Sequence, residues 1–91
     1  MRGKEELLAR AYAVAIERRY RLNALQVVHS LADLYLNALR QPKEGATWLA
    51  CFGAQLYADA DDPCWSAEYE RRKTLATALV MREQDWTSNQ P

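Results

Sequence analysis

The stretch Asn23 to Arg40, NALQVVHSLADLYLNALR, constrains the fold more than any other part of the chain. Placed on a helix at about 100° per residue, Leu25, Val27, Val28, Leu31, Ala32, Leu34, Tyr35, Leu36, Ala38 and Leu39 cover an arc of roughly 200°. Gln26, His29, Ser30, Asp33, Asn37 and Arg40 share the remaining strip of roughly 100°, whereas a surface helix needs an apolar stripe only somewhat wider than about 100°. A helix with that distribution must be covered on several sides, by its own chain or by a second copy.

Before it, Lys4 to Leu22 holds neither glycine nor proline, and Leu7, Leu8, Ala11, Tyr12, Val14, Ala15 and Ile16 recur at helical spacing. Glu6, Arg10, Glu17 and Arg21 form the opposite face, two acid-before-base pairs four residues apart that belong in solvent. No breaker separates this segment from the next, so one rod from Lys4 to Gln41 is conceivable. In a continuous helical frame, however, the two apolar faces point about 160° apart, and a straight rod would bury opposite sides at its two ends. A break near Tyr20 to Asn23 lets both faces meet, with Asn23 as N-cap and Gln26 completing a capping box.

Pro42 and Gly45 are expected to stop the second helix. A third follows with Trp48, Leu49, Phe52 and Leu56 as its stripe and Ala46, Ala50, Gly53 and Ala54 as a small-residue face; Gly53 costs up to about 1 kcal/mol inside a helix, which a close packing contact would justify. DADDP, Asp59 to Pro63, is the clearest loop, and Asp62 before Pro63 is a good start for a fourth helix carrying Trp65, Tyr69, Leu75, Ala76, Leu79 and Val80 on one face. The expectation is an all-α fold: a compact bundle of three to four amphipathic helices at 4–21, 24–40, 45–58 and 63–85, with 87–91 a flexible tail, self-associating as a dimer.

A single domain of 91 residues buries a modest share of its surface and has a small stability margin, which oligomerisation commonly remedies. Twelve basic and twelve acidic residues leave no net charge to draw the chain onto phosphate backbones or anionic lipid. No apolar run approaches the roughly 18 residues of a membrane span, and MRGKEELLARAY lacks a signal peptide's apolar centre, so the expectation is a cytoplasmic protein with no membrane partner. Cys51 and Cys64 then read as buried reduced thiols.

The groups that could carry chemistry are few. His29, the sole histidine, has Asp33 one turn later, but Ser30 and Cys51 are tied to it by no nucleophile spacing, and the pair reads as the polar edge of its helix. Asp59, Asp61 and Glu70 fit three places of a calcium-loop register, yet Pro63 and Cys64 occupy its fifth and sixth, where a glycine is needed. Cys64 is ringed by Asp59, Asp61 and Asp62, which favour the neutral thiol. No metal, cofactor or catalytic site is therefore expected.

Arg18, Arg19 and Arg21 around Tyr20, and Arg71, Arg72 and Lys73 after Tyr69, mix arginine with aromatics as phosphate- and base-binding surfaces do. Glu17, Glu68 and Glu70 flank both clusters, and no nucleic-acid-binding motif accompanies them. Arg72 falls within the face made by Trp65, Tyr69, Ala76 and Leu79, where a charge needs a partner: an internal pair with Glu68, or an interface, since interfaces enrich arginine and aromatics. Arg18 poses the same question on the first helix. Tyr12, Tyr20, Trp48, Tyr57, Trp65 and Trp86 are more aromatic surface than a small bundle obviously needs. The expected function is a non-enzymatic protein-protein interaction module, a small regulator, adaptor or inhibitor of a larger protein, of the size class found in phage and mobile elements. Arg18, Arg19, Tyr20, Trp65, Tyr69 and Arg72 are its expected contact residues. A nucleic-acid-binding regulator using the two basic clusters is the alternative.

Overall fold

The computed structural model describes residues 3–88, with side chains described to Gln84. Four helices are formed and, among the described residues, no strand. Helix α1 is Lys4–Glu17. Helix α2 is Arg21–Asp33, continued by a π-helical turn, Leu34–Ala38. Helix α3 is Pro42–Thr47, a second π-helical turn, Trp48–Gly53, and Ala54–Ala60. Helix α4 is Pro63–Ser88.

Helix α2 is the centre, as its apolar arc requires. Ala24, Leu25, Val28, Leu31, Ala32 and Leu36 are buried almost completely, and α1, α3 and α4 all pack on α2 or its π-helical end. Leu49, Leu56 and Tyr57 of α3 and Ala76 of α4 complete the core, whereas α1 buries only Ala15 fully. Tyr12 adds an edge-on ring contact to Trp48, centroids 5.3 Å apart, which ties α1 to α3. Helix α1 thus packs chiefly on α2, and the last helix chiefly on α3.

All three turns use a left-handed residue that is not glycine. Arg19 (φ 62°), Arg40 (φ 53°) and Asp61 (φ 50°) reverse the chain after α1, α2 and α3. After α1 the Tyr20 N–H donates to Ala15 O at 2.8 Å and the Arg19 N–H to Ile16 O at 3.1 Å, a Schellman cap with arginine where glycine is usual. This corrects the expected first boundary. The chain breaks at Arg18 to Tyr20, the N-cap of α2 is Tyr20, and Asn23 lies within the first turn, so no capping box forms with Gln26. Arg21 therefore belongs to α2, and its ion pair is with Asp59 of α3 instead of Glu17.

Two other boundaries move. Pro42 is the first residue of α3, where its missing N–H is harmless. Gly45 lies inside that helix and does not end the one before it: a Cβ there would sit 2.9 Å from Leu36 Cδ2. Gly53 is likewise a packing glycine, its missing Cβ position lying 3.2 Å from Val28 Cγ1 and 3.3 Å from Tyr57 Cε2. At the start of α4, Asp62 Oδ1 accepts the Cys64 N–H at 2.8 Å. The body measures 50 × 34 × 17 Å, and its radius of gyration is 14.0 Å, against about 12 Å for a compact chain of this length. Among the described residues no helix is long and apolar enough to cross a membrane.

Candidate functional site

The polar groups of greatest chemical interest meet where α2, α3 and α4 converge. Arg72 lies at its centre, its side chain only 13% exposed. Nε and Nη2 donate to Asp33 Oδ1 and Oδ2 at 2.7 and 3.0 Å, a bidentate pair between α4 and α2. Nη1 donates to Glu68 Oε2 at 2.6 Å and to the Glu68 backbone oxygen at 3.3 Å. The helical spacing of Glu68 and Arg72 makes one half of this network local, while Asp33 crosses to another helix. All three guanidinium nitrogens are thereby committed within the chain. The Arg72 hydrogen bond is the main cause that holds the Glu68 carboxyl below its ordinary range.

His29 lies beside this network and corrects the expectation of a His29–Asp33 polar edge. Its Nδ1 shares a 3.0 Å hydrogen bond with the Tyr57 hydroxyl, and its ring meets Trp65 edge-on at 5.2 Å. Burial lowers the imidazole's affinity for a proton and the Arg72 guanidinium lowers it further, against opposing pulls from Asp33 and Glu68. The Tyr57 hydroxyl, almost fully enclosed, is pushed up to about 12, chiefly by burial. Tyr57 also packs on Tyr69, with ring centroids 4.7 Å apart. The arrangement joins three helices through a neutral histidine, two tyrosines, a tryptophan and one compensated cation. Ser30 and Cys51, the two nucleophiles considered in sequence, line other grooves, one between α1 and α2 and one between α1 and α3.

The cysteines are exposed and unpaired, not buried: Cys51 lies in the π-helical turn of α3 and Cys64 in the first turn of α4. Among the described residues no three His, Cys, Asp or Glu side chains gather as a metal-binding set. The acidic loop is used locally, Asp59 by Arg21 and Gln55 and Asp62 as a cap.

The six nominated contact residues divide into two places. Trp65, Tyr69 and Arg72 fall together in the convergence cluster and are partly buried. Arg18, Arg19 and Tyr20 lie at the α1–α2 turn and are exposed, Tyr20 by 52%. Of the basic clusters, Arg21, Arg71, Arg72 and Lys73 all make ion pairs with carboxylates of the chain itself, and Lys73 also lies over the Tyr69 ring. Tyr12, Trp48, Tyr57 and Trp65 are spent on ring contacts within the fold, and the Trp86 side chain lies outside the described residues.

Exposed apolar side chains that the sequence pattern placed in the core are the less expected feature. Leu7 is 66% exposed and Val14 47%, because α1 docks through the neighbouring arc of Leu8, Tyr12 and Ala15. With Leu8, Ala11, Tyr20 and Val27 they line an open groove between α1 and α2 of about 620 Å³. A second groove of about 610 Å³ lies at the other end, walled by Leu36, Pro42, Leu75 and Leu79 and flanked by Arg40 and Arg82. The signal for the first was present in the sequence, since the apolar arc of α1 is wider than one neighbouring helix can cover. No protein-family model, curated protein or solved structure matches this chain.

Proposed function

We propose that the chain is a non-enzymatic protein-binding module, a small regulator, adaptor or inhibitor that acts by covering a surface of a larger protein. One observation carries the reading. Leu7, Val14 and Tyr20 stand in solvent along one groove and Leu75 along the other, while His29, Tyr57 and Arg72 with its two carboxylates are engaged in holding helices together. Contiguous exposed apolar surface is what protein contacts use. The groove between α2 and α4 suits the larger partner, since its apolar lining is bordered by Arg40, Arg82 and Glu83, and apolar surface beside arginine is enriched at interface centres.

Affinity capture from the native host with wild-type chain and with Leu75→Glu tests this directly. A protein retained by the wild type and lost on the variant, with helical circular dichroism unchanged, is the expected result. Capture that is identical for the two would refute the assignment of that groove, and capture of nothing by either would refute the function.

A further inference from the structure

We propose that the groove between α2 and α4 receives an acidic, apolar segment of the larger protein, with aliphatic side chains entering the groove and carboxylates meeting Arg40 and Arg82. The proposal rests on the protein-binding reading and adds to it the chemistry of the partner.

The lining sets the apolar half of that chemistry. Leu36 and Pro42, both buried, line the groove from α2 and α3, while Leu75, 38% exposed, and Leu79, half-buried, line it from α4. From Leu75 to Arg82 the helix rises about 10 Å, the length of two turns. The volume of about 610 Å³ is enough to take several side chains of a partner. None of the lining residues is aromatic, so the groove offers no platform for stacking the bases of a single-stranded nucleic acid.

Charge sets the other half. Two arginines and Glu83 border the groove, a net of one positive charge, and Lys43 and Glu44, exposed after Pro42, cancel each other. Arg21, Arg71, Arg72 and Lys73 each hold a carboxylate of the chain, but among the described residues neither Arg40 nor Arg82 has an ion pair. A partner that fills the groove draws both guanidinium groups out of water. That is unfavourable unless the partner brings the opposite charge, and a carboxylate matches the planar fork of arginine.

The backbone at Arg40 points the same way. Its φ of 53° is costly for a residue with a side chain and free for glycine, and no ion pair within the chain offsets that cost. Arg19 and Asp61 reverse the chain with the same geometry; Arg40 is set apart by lying on this groove. Backbone strain of this kind collects where a side chain serves a contact.

Short random peptides selected on the full chain, after removal of those that also bind Leu75→Glu, test the proposal. The enriched sequences should combine Leu, Met or Phe with Asp or Glu. Arg40→Glu with Arg82→Glu, at unchanged helical circular dichroism, should bind such a peptide about tenfold more weakly at low salt and should itself select peptides rich in Lys or Arg. Arg40→Gly, which suits the turn, should weaken binding about threefold without loss of stability. Enrichment of neutral or basic peptides on the wild type, or equal binding of acidic peptides by the doubly reversed variant, overturns the proposal and leaves the groove a protein-contact surface. If no enriched peptide depends on Leu75, the groove reading falls together with the proposal. Binding of a single-stranded oligonucleotide that is lost on reversing both arginines would assign them to phosphate and overturn the acidic partner.

Discussion

Replacing Arg72 with methionine keeps an aliphatic stem and removes every donor that binds Asp33 and Glu68. The expected cost lies between two regimes. Exposed ion pairs are worth less than about 1 kcal/mol, and removing one partner of a fully buried pair costs about 3–5 kcal/mol. Arg72 is close to buried, but the Asp33 side chain is 42% exposed, so water screens the pair and rehydrates the carboxylate left behind. A loss of about 2 kcal/mol follows, equivalent to a fall in Tm of roughly 10 °C for a domain of this size. Urea unfolding followed by far-UV circular dichroism measures it, at one fixed concentration, because self-association would add to apparent stability. A double-mutant cycle with Asp33→Asn should return a coupling of about 1 kcal/mol for the bidentate pair. Replacing all three groups together (Asp33→Leu, Glu68→Leu and Arg72→Met) should recover much of the loss, since no charge is then left without its partner. If Arg72→Met unfolds within about 0.5 kcal/mol of wild type, or the coupling is near zero, Arg72 does not anchor α4 and its place in the fold has been misjudged.

Three further outcomes follow from the same geometry. The imidazole of His29 is harder to protonate folded than unfolded, so acid favours the unfolded chain: stability should be level above about pH 6.5 and decline as pH falls from there towards the depressed folded value. His29→Gln should flatten that decline, leaving the later loss as Glu68 protonates in the carboxylate range, and an unchanged profile would show that His29 is solvated. Arg19→Gly and Arg40→Gly should each raise stability by about 0.5–1 kcal/mol by relieving left-handed backbone at a side-chain-bearing residue, measured by thermal unfolding; a loss in both would mean that these caps are not strained. Gly53→Ala should lose about 1 kcal/mol net, because crowding against buried Val28 and Tyr57 exceeds the gain in helix propensity, and a gain would show that the α2–α3 contact can yield.

The helices and the central place of α2 were legible in the sequence because both rest on the period of apolar residues, which burial enforces. Turn positions were less so. Arg19 and Arg40 adopt the left-handed geometry usually marked by glycine, and arginine carries no such mark. Gly45 misled in the opposite sense: glycine serves both to end helices and to admit a neighbour, and only the position of Leu36 decides which. The dilemma of Arg72 was visible, a charge on an apolar face, but its solution involves Asp33, 39 residues away on α2, and pairing at that distance leaves no local pattern. For the same reason His29 was read with its sequence neighbour Asp33, when its actual companions are Tyr57 and Trp65. The exposed stripe of α1 was signalled by an apolar arc wider than one neighbouring helix can cover, but the pattern alone does not say which part of that arc finds cover within the chain.

The central claim is that the groove between α2 and α4 is contact surface for a larger protein, and amide hydrogen exchange across residues 75–83 with and without the captured partner tests it most directly. Exchange there should slow when the partner is added, and the slowing should vanish with Leu75→Glu. Equal exchange with and without a bound partner would place the contact elsewhere and contradict the account.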